Sequence, residues 1–333
     1  MPFPLLVFIL VALLSVLALR CNSHTAQVLA KPQPVLPASL LAPSALPISP
    51  ELIKEVAETK AKAEQGDPAA QCSLGWVYHY GMGVPRDWTE AVKWWRKAAE
   101  QHHAKSQLNL GVMYDNGQGV PKDDAEALRW YRKAAEQNQP VAQHLLGAMH
   151  LSGRAGARDE AEAFKWFQQA AAQNHALAQH SLATMYAEGR ATPRNDAAAA
   201  QWYRKAAEQN HAPAQLSLGV MYDTGRGLKK NDVEAAQWYR KAAEQNLAVA
   251  QLNLGIMYDT GQGMAKDPVQ AHAWLNLAGA SGEESAYDRL VIIEKEITPE
   301  QRAAARKLAH ELLASMSKAP RSPTTSVPGK PAQ

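Results

Sequence analysis

Among the side chains able to bind a metal or move a proton, this 333-residue chain offers eleven histidines. His144 and His180 stand out because they lie 36 residues apart, in one column of a repeating pattern. Helices in contact pack about 8 to 10 Å apart, so two such side chains can share a ligand. A metal centre needs three or four ligands at defined spacing. No third one follows, so His144 and His180 are kept as a contact for a ligand and no metal or cofactor is assigned. His102, His103, His175 and His211 fall in turns and read as solvated loop residues. Ser315 and Lys318 have the Ser-x-x-Lys spacing in which a lysine activates a serine. They stand without partner motifs beside a proline-containing tail, so no residue is assigned as catalytic. Gly-x-Gly pairs such as Gly117 and Gly119 are not phosphate cradles, because no strand precedes them and no Gly-Lys-Ser/Thr follows.

The elements that carry these residues repeat. Leu74-Gly75, Leu110-Gly111, Leu146-Gly147, Leu182-Ala183, Leu218-Gly219 and Leu254-Gly255 are in register at 36 residues, and Trp94, Trp130, Trp166, Trp202, Trp238 and Trp274 keep the same step. A period of this length marks an array of supersecondary units. Each unit reads as two amphipathic helices. One runs around residues 140–150; the other, around 123–137, sets Ala127, Trp130, Tyr131, Ala134 and Ala135 at steps of three and four. The Gly-x-Gly pairs form the turn between them. Gly66, His102, Asn138, Asn174, Asn210, Asn246 and Gly282 follow the second helix, where glycine and asparagine accept a left-handed cap.

On these residues the chain resembles the Sel1-like repeat family, tetratricopeptide-related solenoids with the unit Ala-x-x-x-Leu-Gly-x-x-Tyr-x-x-Gly-x-Gly-Val, then Asp, then Ala-x-x-Trp-Tyr-x-Lys-Ala-Ala. The resemblance covers roughly residues 51–316. It implies an all-α, right-handed superhelical solenoid of helix-turn-helix repeats acting as a scaffold in signalling, secretion or host interaction. Some secreted members carry a disulfide in each repeat and are linked with β-lactam binding. With two cysteines, Cys21 and Cys72, this chain departs from that branch.

The expected organisation is a signal peptide or membrane anchor over 1–30, a proline-rich spacer over 31–50, repeats over 51–316 and a disordered tail over 317–333. Repeat boundaries fall at 67–102, 103–138, 139–174, 175–210, 211–246 and 247–282, with caps at 51–66 and 283–316. Residues 5–19 form an apolar run shorter than the roughly 20 residues of a membrane span, which suits a signal segment and an exported, periplasmic or secreted chain, with a membrane tether if it is retained. The N-terminal cap sets Leu52, Ile53, Val56 and Ala57 on its apolar side. Thr298 to Gln301 form a capping box for a terminal helix burying Ala303, Leu308, Leu312 and Leu313. Thirty-five Lys and Arg against 32 Asp and Glu leave a net charge of +3, no footprint for nucleic acid. The row Arg96-Lys97, Arg132-Lys133, Arg204-Lys205 and Arg240-Lys241 is expected to pair with Glu100, Glu136, Glu208 and Glu244 along a solvated face.

Recurrent Gln71, Gln107, Gln143, Gln179, Gln215 and Gln251 read as partners of a repeated backbone group, and the tryptophan column as core wedged between units. Placed at about 100° per residue from the anchor glycine, positions two before, two after and five after share one stripe of the first helix. That stripe supplies the candidate groove for a protein or peptide: Asn109, Met113, Asn116, Met149, Ser181, Met185, Ser217, Met221, Thr224 and Asn253. The reading is a non-catalytic scaffold of the cell envelope. An enzyme or small-ligand binder acting on cell-wall or β-lactam-like compounds, and a structural spacer, stand as the alternatives.

Overall fold

The computed structural model describes residues 50–154 and 156–318; the expected signal segment, nearly all of the spacer, and the tail from residue 319 lie outside the described residues. These contain fifteen helices and no strand. After α1 (Pro50–Glu64) come six helix pairs: α2 (Pro68–Tyr80) with α3 (Trp88–Glu100), α4 (Ala104–Asn116) with α5 (Asp124–Glu136), α6 (Pro140–Ser152) with α7 (Glu160–Ala172), α8 (Ala176–Glu188) with α9 (Asp196–Glu208), α10 (Ala212–Thr224) with α11 (Asp232–Glu244), and α12 (Ala248–Thr260) with α13 (Pro268–Ala280). Short α14 (Ser285–Ile293) and long α15 (Pro299–Lys318) close the array. Each helix packs on its neighbours in sequence, except that α15 returns to α13, which makes an all-α solenoid.

Local chemistry sets the ends. Asp123, at φ −149°, caps α5 by accepting from the backbone N–H groups of Ala125 and Glu126. After α5 the N–H of Gln139 bonds to Ala134 and that of Asn138 to Ala135, a pairing that needs a left-handed residue; Asn138 supplies it at φ 61°. His102, Asn174, Asn210 and Asn246 repeat that conformation. Ala191, at φ 60°, occupies the second turn-glycine position without glycine's freedom.

The anchor glycine has a packing role. A Cβ on Gly111 would lie 2.6 Å from the Tyr131 ring, and one on Gly219 would lie 2.6 Å from Tyr239. The aromatic after the tryptophan thus lies flat against the first helix and is the more deeply buried: Trp95, Tyr131, Phe167 and Tyr239 are at 1%, whereas Trp166, Trp202 and Trp238 are half-buried. This corrects the expectation of a uniformly buried tryptophan column.

Neighbouring pairs are joined by two polar ladders. Each Nε2 of Gln71, Gln107, Gln143, Gln179, Gln215 and Gln251 donates to a main-chain carbonyl eight residues earlier, as from Gln107 to Ala99 at 3.1 Å. In the first five the Oε1 accepts from a glutamine thirty residues on, as from Gln137 at 2.7 Å. Satisfying a repeated backbone group is the role expected from the sequence. Position 281 is serine, and Oε1 of Gln251 is left buried without a partner. In the second ladder Arg154 binds Asp115 and Asp124, Arg190 binds Glu160, Arg226 binds Asp196, and Gln262 takes the same place against Asp223 and Asp232.

At the ends, Val56 and Ala63 of α1 are buried while Ile53 and Ala57 are exposed. The capping box forms as expected: the Thr298 N–H donates to Gln301 Oε1 and the Gln301 N–H to Thr298 Oγ1. Helix α15 is turned from its expected face. Ala305 and Ala309 are buried, Leu308, Leu312 and Met316 pack at the edge of the core, and Ala303 and Leu313 are exposed.

Candidate interaction surface

Packing between pairs consumes most of the predicted groove. Met113, Met149, Met185, Met221 and Met257 are 1–5% exposed, and Asn109 is buried at 4%. The methionine column therefore belongs to the core, a correction forced by the preceding helix pair, against which Met113, Met149, Met185 and Met221 pack and which covers the side of the first helix that angular placement left open. The column two before the anchor meets the preceding pair. Ser181 Oγ lies 3.4 Å from His144 Nε2, and Ser217 and Asn253 approach the hydroxyls of Tyr203 and Tyr239. In the register of those tyrosines the pair before Asn109 has Trp95, whose Nε1 donates to the Cys72 carbonyl, and the Asn109 Nδ2 is buried with no hydrogen-bond partner. Of the stripe, Asn116 and Thr224 are exposed; the Thr224 hydroxyl is donated to the Val220 carbonyl.

The histidines assemble differently from their expected roles. His103, His175 and His211 are half-buried helix caps whose Nδ1 accepts from the N–H of Ser106, Ala178 and Ala214. Accepting requires a neutral ring. His144 lies against His175 with ring centroids 5.3 Å apart and the planes tilted by 39°, and His180 against His211 at 5.0 Å and 49°. Burial, with the neighbouring histidines adding to it, holds His144 and His180 down at about 3 and His211 at about 4. Among the described residues no group of three or more His, Cys, Asp or Glu is arranged to hold a metal. The Ser315 hydroxyl donates to the Leu312 carbonyl on the exposed side of α15.

The outward face of the second helices carries a set of contacts that the sequence reading missed. Lys97, Lys133, Lys205 and Lys241 sit over Trp94, Trp130, Trp202 and Trp238 with Nζ 3.9–4.4 Å from the ring centroids. Arg96, Arg204 and Arg240 donate to the hydroxyls of Tyr114, Tyr222 and Tyr258, eighteen residues on. Glu100, Glu136, Glu208 and Glu244 form no ion pair among the described residues, so the expected pairing along each helix is replaced by cation–aromatic contact. The recurring Tyr and Trp at fixed offsets were the available signal. In the third pair the same positions are Gln168, Gln169 and Ala172, and the row is interrupted.

The Sel1 repeat profile matches residues 68–103, 104–139, 140–175, 176–211, 212–247 and 248–283. The chain belongs to the Sel1 repeat family. Among solved structures it is similar to a protective antigen of uropathogenic Escherichia coli strains displaying an SLR fold, at 37% identity and a TM-score of 0.71, over 79% of this chain and 56% of that one. A Sel1 repeat protein from Oxalobacter formigenes is 32% identical with a TM-score of 0.59, over 68% of this chain and 94% of that one. No curated protein matches. The Sel1 repeat array is a scaffold of the protein-interaction type.

Proposed function

We propose that this Sel1 repeat chain is a non-catalytic scaffold of the cell envelope that docks a protein or peptide partner along the outward cation–aromatic row, in signalling, secretion or host interaction. The observation that carries this reading is the recurrence of an exposed lysine over a tryptophan in four pairs, each tryptophan packed on the core and each lysine lying on its outer side. Aromatic and arginine side chains are the groups that dominate protein interfaces. The apolar run over residues 5–19 and the following prolines support export and a tether that holds the repeats off a membrane. That the Escherichia coli relative is a protective antigen supports an envelope or host-facing setting.

The test places a photo-crosslinking residue at position 97, 133, 205 or 241, or at the matching position 169 of the interrupted pair, in the full chain in its native cells. One partner captured from the four positions and weakly from 169 supports docking along the row. Equal capture from all five removes the observation on which the reading stands.

A further inference from the structure

The row is not uniform, and its fifth helix pair differs in charge. A cavity of about 480 Å³ is lined by Arg204, Tyr222, Leu228, Lys229, Lys230 and Asn231. Three of these six side chains are cationic and none is acidic. Lys230 corresponds to a basic residue in every pair, whereas Lys229 stands where the others have Pro85, Pro121, Ala157, Pro193 and Ala265. At the helix cap, Asn231, like Asn195 of the fourth pair, replaces the acid present as Asp87, Asp123, Asp159 and Asp267, so that only the fifth pair combines the lost acid with the added lysine. Two changes of sequence thus act in one direction, adding a positive charge and removing a negative one. The asparagine keeps the capping role, accepting from the N–H groups of Val233 and Glu234.

The three cations differ in how far they are engaged. Lys230 lies 3.3 Å from Asp232, and Arg204 is held by the Tyr222 hydroxyl with its guanidinium 5.7 Å from the ring centre. Lys229 is exposed and has no ion pair or hydrogen bond among the described residues. A second cavity, of about 460 Å³, is lined by Val233, Ala236 and Met264 together with Gln237, Arg240, Lys241 and one acid, Glu244. It adjoins the first through the opening turn of α11, where Asn231 faces one cavity and Val233 the other. Val233 is 52% exposed, a large apolar side chain where three of the other pairs have alanine.

We propose that the two cavities at the start of α11 form one track for an extended, acidic segment of the partner polypeptide. A carboxylate side chain sits among Arg204, Lys229 and Lys230, and an apolar side chain of the same segment rests on Val233 and Met264. The charge of the first cavity selects an anion, and the apolar Val233 and Met264 in the second select a polypeptide over a small inorganic ion. This assignment rests on the scaffold reading and names the partner's chemistry.

The probe is a short fluorescein-labelled peptide repeating glutamate, serine, leucine, serine, which puts glutamate and leucine on one side of an extended chain. Its controls carry glutamine for glutamate or serine for leucine, and inorganic phosphate serves as competitor. Binding to the full chain is read by fluorescence anisotropy against the double variant Lys229→Pro, Asn231→Asp, whose residues already occur at these positions in sibling pairs and so suit the fold. Affinity should fall about tenfold in that variant, as for the loss of one well-placed charge contact. It should also fall with either peptide control and in Val233→Ser. Equal binding by the double variant, equal binding of the glutamine peptide, or no binding of the probe overturns the track. If phosphate competes and the serine-for-leucine peptide binds as well as the probe, the site takes anions in general and the peptide assignment is wrong. Partner crosslinking from positions 205 and 241 that survives in the double variant removes this track while the scaffold reading stands; loss of the column preference itself removes the scaffold reading.

Discussion

The second and third helix pairs share one backbone and differ in almost everything that faces away from it. Leu110 and Leu146 are both fully buried, Gln107 and Gln143 both tie the ladder, and Tyr131 and Phe167 both lie against an anchor glycine. Yet the second pair carries Arg132, Lys133 and Glu136 outward where the third has Gln168, Gln169 and Ala172. The difference separates two sets of positions. One set stacks pairs and is nearly fixed. The other is exposed, varies between pairs, and carries the docking row proposed above.

The comparison predicts equal damage at equivalent core positions. Tyr131→Ala and Phe167→Ala should each cost about 3 to 5 kcal/mol, measured by urea unfolding followed by circular dichroism. A much smaller effect at Phe167 would mean that the third pair is loosely held.

The histidines should make the middle pairs acid-sensitive. Folded His144 and His180 titrate near 3 and His211 near 4, below the ordinary 6.5, so the unfolded chain binds more protons than the folded chain in between. Their neutral packing is fully present above 6.5 and is lost as pH falls towards 3. At pH 5 each should cost on the order of 2 kcal/mol. His144→Leu with His180→Leu, the residue of the sibling positions 108 and 216, should flatten the pH dependence of melting between pH 7 and pH 4 (about the span these shifts imply). An unchanged slope in the double variant would contradict the burial account.

How much of this was legible is clearest at individual residues. The period, the helix pairs, the left-handed Asn138 and the role of Gln107 follow from spacing and from the requirement that buried polar groups be paired. The fate of Met113 and Asn109 did not, because helical angle orders side chains around one helix without saying which neighbour covers them. Arg96 was read against Glu100, four residues away, whereas its partner Tyr114 is on the next helix. His175 and His211 read as loop residues, since a histidine accepting at a helix start leaves no mark in the pattern.

Smaller effects sharpen the comparison further. Arg154 joins the second and third pairs by binding Asp115 and Asp124 at a half-exposed position. Arg154→Ala should cost about 1 kcal/mol in low salt and less in high salt, read as a shift in urea midpoint. At the turn of the fourth pair, Ala191 holds a positive φ that sibling glycines adopt freely. Ala191→Gly should gain about 1 kcal/mol by the same assay, and a loss would show that the alanine is not strained.

The most direct measurement exchanges the outward residues of the two kinds of pair while leaving the core alone. In the full chain, Arg204→Gln with Lys205→Gln gives the fourth pair the residues of the third, and melting temperature is followed beside anisotropy of the glutamate–leucine peptide. The account predicts a melting temperature within a few degrees of the parent, as for exposed substitutions, with peptide affinity reduced about tenfold. Unchanged affinity at unchanged stability would contradict the claim that recognition resides in the outward row.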